Sequence, residues 1–369
     1  MKVMFYPKSS RISDFLKFPN LINYMKWHEE RKKDDMFKEV NINDYIKFVE
    51  EISEKLDPYK KEIDNYYEGP FTEEYSFVSL LTKNDEILFY ENEEHFLDFL
   101  LTLDEKEINE RIVLSLIKEY EEADFDKERD MNRMREICRE KESILDYIKG
   151  LSLESSIKWS LYLATSDPVK YIKEYVGLMR RLYPIFSEVY EHYESDIRVY
   201  GELLEKTLLE RGEEGIKELT CYILDKDVVG TDEICIFVSL VLSYSLLLDV
   251  HKDKTFMIWG LRMGDAFKQI KEISDDRLNK RVQIFKNLGD KTRYEVLKYI
   301  AAGETSTKLI AEALNVSSAT VSYHISNFLT SKVIKVDMSK KKHGYMVDYD
   351  LIEQTIREFR EDLRFPQDR

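Results

Sequence analysis

Residues Val316–Val333 read VSSATVSYHISNFLTSKV and decide how the C-terminal part of the chain is understood. The spacing predicts one helix with two faces, and Ser317 stands where an N-cap belongs. Val321, Ile325, Phe328 and Leu329 fall at i, i+4, i+7 and i+8, which places them on one buried stripe. Ser318, Thr320, Ser322, Tyr323, His324 and Asn327 make up the polar side, and none of them is acidic. Short or planar donors and acceptors on such a face can meet base edges in a major groove without repelling phosphates.

The flanking residues extend this reading. Ser306–Leu314 (STKLIAEAL) is expected to be a short helix capped by Ser306, with Lys308 in its first turn. Asn315 follows where a tight turn between helices needs a left-handed residue, which Asn tolerates. Helix, short turn, helix is the DNA-reading arrangement. Downstream, Val333–Asp337 and Tyr345–Tyr349 alternate like strands. They flank SKKKHG, a hairpin loop with Lys340, Lys341, Lys342 and His343 at its tip. A recognition helix at 317–331 and a basic wing at 338–344 are therefore expected, the wing resting on the phosphate backbone.

On the pieces LGDKTRYEVLKYI, AEALNVSSATVSYHISNF and KKKHGYMVDYDL, the chain from Phe285 to Leu351 resembles the winged-helix domain of the arsenic-repressor (ArsR) family of bacterial transcription regulators. The resemblance covers roughly the last quarter of the chain. Thr307 stands where that family usually has an aliphatic residue, Leu309 where it has a polar one, and Tyr323 replaces a common His. The resemblance implies a DNA-binding regulator, usually dimeric and often released from DNA by a small ligand. It further implies backbone-phosphate contacts from Lys291 and Arg293. Dimerisation would run through the last helix and the helix before the motif. Ile352, Ile356, Phe359 and Leu363 make the required stripe on the former, and Leu278 and Val282 lie on the latter.

At 369 residues the chain is long enough for two domains. Its net charge of -16 is unevenly spread. Residues 277–350 carry 13 Lys+Arg against 7 Asp+Glu, whereas residues 1–276 carry 39 against 60. The basic excess sits on the segment with the helix-turn-helix signal, as phosphate binding requires. The start, MKVMFYPKSSR, lacks a long apolar segment. The longest uncharged run, Ile234–Leu248, is 15 residues and shorter than the ~20 that span a bilayer. Cys138, Cys221 and Cys235 are few and scattered, as in a reducing cytosol. A cytoplasmic protein with no membrane contact is expected.

Upstream, helical patterns dominate. Lys2–Tyr6 suits a short edge strand, and Asn41–Asp57 an amphipathic helix ended by Pro58. Tyr66–Thr72 is a loop by its Gly-Pro pair. Lys106–Tyr120 and Arg129–Lys149 are each expected as one helix. Ser166-Asp167-Pro168 starts another, which Pro184 should interrupt or restart. Ile234–Leu248 is buried structure, with strands or a core helix left open. Leu246–Val250 and Thr255–Trp259 flank HKDK as a β-hairpin. The fold class is thus mainly α with small β elements: a helical N-terminal domain, 1–274, and a winged helix-turn-helix, 275–369.

No phosphate-binding glycine run, GxSxG or HExxH is present. The first helix of the motif, TKLIAEA, lacks the Cys-x-Cys pair of the family's thiolate metal sensors, and Asp350–Leu363 has no His. Neither a metal nor another cofactor is expected, and no enzyme activity. The reading is a regulator binding double-stranded DNA as a homodimer, controlled by a small-molecule or protein effector at its N-terminal domain. The alternative is an enzyme or protein-interaction module for which the winged helix serves only localisation.

Overall fold

The computed structural model describes residues 2–25, 40–67, 77–81, 84–120, 127–153, 155–224, 231, 233–251, 254–274, 277–337 and 344–365. The chain opens with β1 (Lys2–Phe5), α1 (Pro7–Lys17) and a 3-10 turn, Phe18–Asn23. Helices α2 (Asn43–Leu56), α3 (Lys60–Tyr67), α4 (Phe77–Leu81), α5 (Asn84–Ile87), α6 (Glu93–Thr102) and α7 (Glu105–Tyr120) follow. Next come α8 (Lys127–Ile137), α9 (Lys141–Gly150), α10 (Ser155–Ser166), α11 (Pro168–Arg211) and α12 (Glu213–Leu219). Strands β2 (Glu233–Ser239), β3 (Leu246–His251) and β4 (Lys254–Gly260) precede α13 (Met263–Ser274) and α14 (Arg277–Gly289). The C-terminal part holds α15 (Lys291–Ala301), α16 (Thr307–Leu314), α17 (Ser318–Thr330), β5 (Ile334–Asp337), β6 (Gly344–Val347) and α18 (Tyr349–Asp362).

The described residues divide into two compact units. One is drawn from 1–27, 43–206 and 231–261, the other from 28–42, 207–230 and 262–369. The first unit contains a four-stranded sheet in the order β1-β2-β4-β3. β1 and β4 both run parallel to β2, while β3 pairs antiparallel with β4 as the expected hairpin. Ile234–Val238 and Thr255–Gly260 are continuously buried. That pattern marks central strands covered on both faces. The 15-residue uncharged run therefore resolves into a strand, a turn and the start of a second strand. Its turn passes so close to Gly260 that a Cβ there would lie 2.3 Å from the carbonyl oxygens of Leu242 and Ser243.

A buried acid holds that turn. Asp14 on α1 is fully buried, and α1 packs on β2. One carboxylate oxygen accepts from the Ser239 hydroxyl and the other from the Leu240 amide at 2.7 Å. The Ser239 hydroxyl in turn accepts from the Leu242 amide at 2.8 Å. Ser10, one turn earlier on α1, accepts from the Val238 amide at 3.0 Å. Burial pushes the Asp14 carboxyl up to about 6, against the lowering pull of these donors and of Lys17.

Two helical expectations change. Arg129–Lys149 is two helices, because no side chain between Ile137 and Ile144 is buried and Glu140 adopts an extended backbone. Conversely, Pro184 lies inside α11, which continues through it. A proline in a helix removes one backbone hydrogen bond. Here Phe186 beside it packs on Phe15 and Phe18 at ring distances of 5.1 and 5.4 Å and holds the helix in place. The Tyr66–Thr72 loop begins inside α3, and its residues 68–72 lie outside the described ones.

In the second unit, Ile284, Val296, Ile300, Ile310, Val321, Ile325, Phe328, Val333 and Ile334 form one buried core. The helices around it end on left-handed residues. Gly303 has φ 90, Asn315 φ 53 and Lys332 φ 57. At Asn315 the Val316 amide reaches back to the Ala311 carbonyl at 3.0 Å, the closing bond of a Schellman cap. Asn315→Ala is expected to cost about 1 kcal/mol, because a Cβ without a local hydrogen-bonding side chain is disfavoured there. Asn315→Gly should be neutral or slightly stabilising. Urea unfolding of the two variants checks the pair, and an Ala variant as stable as wild type would contradict it.

Candidate nucleic-acid interface

The helix pair is built from local signals. Ser306 caps α16 by accepting from the Leu309 amide, and Ser317 caps α17 by accepting from the Thr320 amide at 3.0 Å. The Ser317 and Thr320 hydroxyls also bond each other at 2.7 Å. Val321, Ile325 and Phe328 are buried and Leu329 is partly so, as the stripe requires. Asp290 caps α15 by accepting from the Arg293 amide at 2.8 Å.

The outward face of α17 differs from the expected one. Ser318 and Ser322 are exposed, and Thr320 and Tyr323 are half-exposed, as a base-reading face needs. His324 and Asn327 are only 6% and 3% exposed, so these two are corrections. Burial lowers the pKa of the His324 imidazole; Asp290 opposes that shift and Arg293 adds to it. Among the described residues neither ring nitrogen of His324 has a hydrogen-bond partner. An imidazole so enclosed cannot reach a phosphate. In their place the geometry adds exposed Ala319 and half-exposed Ser326. With Ser322 and Tyr323 they fall at three- and four-residue intervals, so the helical repeat puts all four on one face. An Ala methyl on such a face can meet a thymine methyl.

Arg293 is also a correction. Its side chain is 14% exposed and turned inward. One guanidinium nitrogen donates to the Asn287 Oδ1 at 2.8 Å. Asn287, fully buried on α14, donates from Nδ2 to the Asn327 carbonyl at 3.2 Å and to the Ser331 hydroxyl at 3.0 Å. Arg293 thus belongs to a buried polar seam and not to a phosphate clamp. Lys291 and Lys308 are exposed on the first turns of α15 and α16. Leu309, where a polar residue was the family norm, is half exposed to solvent.

β5 and β6 pair antiparallel as a hairpin directly after α17, with Ile334 opposite Val347. Lys335 on β5 pairs with Asp348 at 2.8 Å, and Asp348 caps α18. The wing tip, Lys340, Lys341, Lys342 and His343, lies outside the described residues.

α14 and α18 pack together. Arg281 bridges to Glu358 at 2.9 Å and to Asp362 at 2.8 Å. Phe285 meets Phe359 at a ring distance of 4.8 Å. Val282, Ile356, Phe359 and Leu363 remain between 36% and 59% exposed, and Ile352 is half-buried against the core. The side chain of Leu278 lies outside the described ones.

Comparison with known families matches residues 291–332 to GerE, bacterial regulatory proteins of the luxR family. No curated protein and no solved structure matches the chain. The chain therefore carries a helix-turn-helix DNA-binding domain of the bacterial-regulator type, formed by α15, α16 and α17. This domain type belongs to DNA-binding regulators and not to an enzyme family. The arsenic-repressor assignment does not stand. The capped helix, left-handed turn and second capped helix that carried it are common to helix-turn-helix proteins. The KKKHGYMVDYDL segment that completed it lies beyond the matched residues. Among the described residues no helix is long and apolar enough to cross a membrane.

Proposed function

We propose that the chain is a cytoplasmic, homodimeric transcription regulator that places α17 in the major groove of duplex DNA and the 338–344 loop on the adjoining backbone. The observation that carries this is the uncharged face of α17, with exposed Ser318, Ala319 and Ser322 and half-exposed Tyr323, on a capped helix that follows a tight turn inside the matched residues. Residues 275–369 do the reading. Residues 1–274, strongly acidic, respond to a small molecule or a protein and set the dimer geometry. The exposed apolar residues of α14 and α18 supply the contact between two copies.

The test is a salt titration. Affinity for duplex DNA should fall steeply between ~50 and ~200 mM salt, because each neutralised phosphate contributes about 0.9 to the slope of log affinity on log salt. Replacing Lys340, Lys341 and Lys342 together with Ala should lower that slope by up to about 3 per half-site and weaken all sequences alike. A slope unchanged in the triple variant would remove the loop from the interface. Absence of duplex binding at ~50 mM salt would overturn the proposal as a whole.

A further inference from the structure

We infer that Asn287 is a positioning residue for the DNA-reading helix, a conclusion that rests on the function proposed above. Asn287 lies in the last turn of α14, the helix that also presents Val282. Its carboxamide can face only one way. Arg293 has donors alone, so Oδ1 must turn toward it and Nδ2 must turn toward α17. There Nδ2 reaches two groups in the final turn of that helix, the Asn327 carbonyl and the Ser331 hydroxyl.

The Asn327 carbonyl already accepts from the Ser331 amide at 3.0 Å and from the Ser331 hydroxyl at 2.9 Å. The third donor is the one that arrives from outside the helix. The seam is buried throughout: Asn287 fully, Asn327 and Ser331 nearly so, and the Arg293 side chain is only 14% exposed. A bond in such surroundings is unscreened, and its loss leaves polar groups with no water to replace it. The apolar core fixes how deep α17 sits, but apolar contact is non-directional and tolerates a helix sliding or turning by a fraction of a residue. The Asn287 bond is directional and sets that remaining freedom. Because α14 is clamped to α18 through Arg281, Glu358 and Asp362, the same bond connects the proposed dimer face to the proposed reading helix. In a dimer that spans two half-sites, a reading helix out of place costs sequence discrimination before it costs phosphate contact.

Asn287→Asp separates the two halves of the bridge. It keeps the acceptor for Arg293 and removes the donor toward α17. The experiment uses the full-length chain, a duplex selected by wild type from a random-sequence pool, and unselected random duplex, at one salt concentration. Asn287→Asp is expected to lower affinity for the selected duplex tenfold or more while leaving affinity for random duplex within about twofold of wild type. Ser331→Ala, which removes one of the two acceptors, should move the same ratio in the same direction by less. A purely structural defect reduces the active fraction and moves both affinities together, so proportional losses overturn the inference. Asn287→Asp discriminating as well as wild type overturns it also, since the contact to Arg293 would then suffice. If wild type itself selects no sequence from the pool, the functional reading fails first and the inference with it.

Discussion

For the homodimer proposed above, Phe359→Glu is expected to leave a monomer and to reduce affinity for a two-half-site duplex by about 100-fold or more. Val282 on α14 and Ile356, Phe359 and Leu363 on α18 are apolar and exposed, and Phe365 beyond α18 is 48% exposed and lies 6.1 Å from the Phe359 ring. The rest of α18 follows ordinary rules: Thr355 is buried, and Glu358 and Asp362 are paired with Arg281. A contiguous apolar patch rimmed by charge marks a contact surface. In the proposed twofold pairing a carboxylate on this patch enters the contact from both copies, so its cost is counted twice. Each copy then binds DNA alone, and the gain from linking two half-sites, about 10²–10⁴-fold, is lost. The phosphate contacts are untouched, so affinity for a single half-site should stay near that of wild type. Sedimentation equilibrium and titration of one- and two-half-site duplexes measure both effects. Ile356→Asp, farther from the Phe285 contact, guards against a folding defect. A dimer of wild-type strength in both variants would move the interface elsewhere.

How much of this was legible in the sequence depends on how local each signal is. Ser306, Asn315 and Ser317 sit within four residues of the groups they cap, so both helices of the DNA-binding pair and the turn between them could be placed from spacing alone. The stripe of Val321, Ile325 and Phe328 was equally plain, since a helix repeats its faces every three to four residues. His324 and Asn327 were misjudged because their burial comes from outside the helix. Asn287 bonds Asn327 across 40 positions of sequence. Arg293 looked like a phosphate ligand until that same Asn287 drew it inward. The sheet was the least visible part. β1 pairs with a strand more than 200 residues away, and an edge strand of four residues carries no sign of its partner. Family resemblance had the matching weakness: the helix-turn-helix pattern is shared so widely that it pointed to the arsenic-repressor family, whereas residues 291–332 match the model of the luxR-type regulators.

Asp14 provides the second large effect, and its direction is the reverse of the usual one for a carboxylate. The group is fully buried, its pKa raised to about 6 from an ordinary 3.8. Desolvation is the largest cause, and hydrogen bonds from the Ser239 hydroxyl and the Leu240 amide offset only part of it. Between those two values the folded chain binds a proton that the unfolded chain releases. Stability from this group is therefore fully present below pH ~3.8 and is lost as pH rises through about 6. At about 1.4 kcal/mol per unit, the loss by pH 7 is about 3 kcal/mol. Lys17, whose charge favours the Asp14 carboxylate, has its ammonium pushed down to about 8 by burial, so its own titration lies outside this window. Asp14→Asn keeps the acceptor for the Leu240 amide and cannot ionise; its Nδ2 meets the Ser239 hydroxyl only if that hydroxyl turns its proton away, a cost that does not vary with pH. The gap in stability between wild type and Asp14→Asn should accordingly widen in favour of wild type by about 2 kcal/mol on going from pH 7 to pH 4. Amide exchange of β2 and β4 reports it, because these strands lie beside the turn that Asp14 holds. Other carboxylates of the chain destabilise it over the same range, but they are common to both proteins and cancel in the difference. A gap that stays constant from pH 7 to pH 4, or that narrows, would mean that Asp14 is ionised in the folded chain throughout and that the turn after β2 is held by an ordinary charged acceptor.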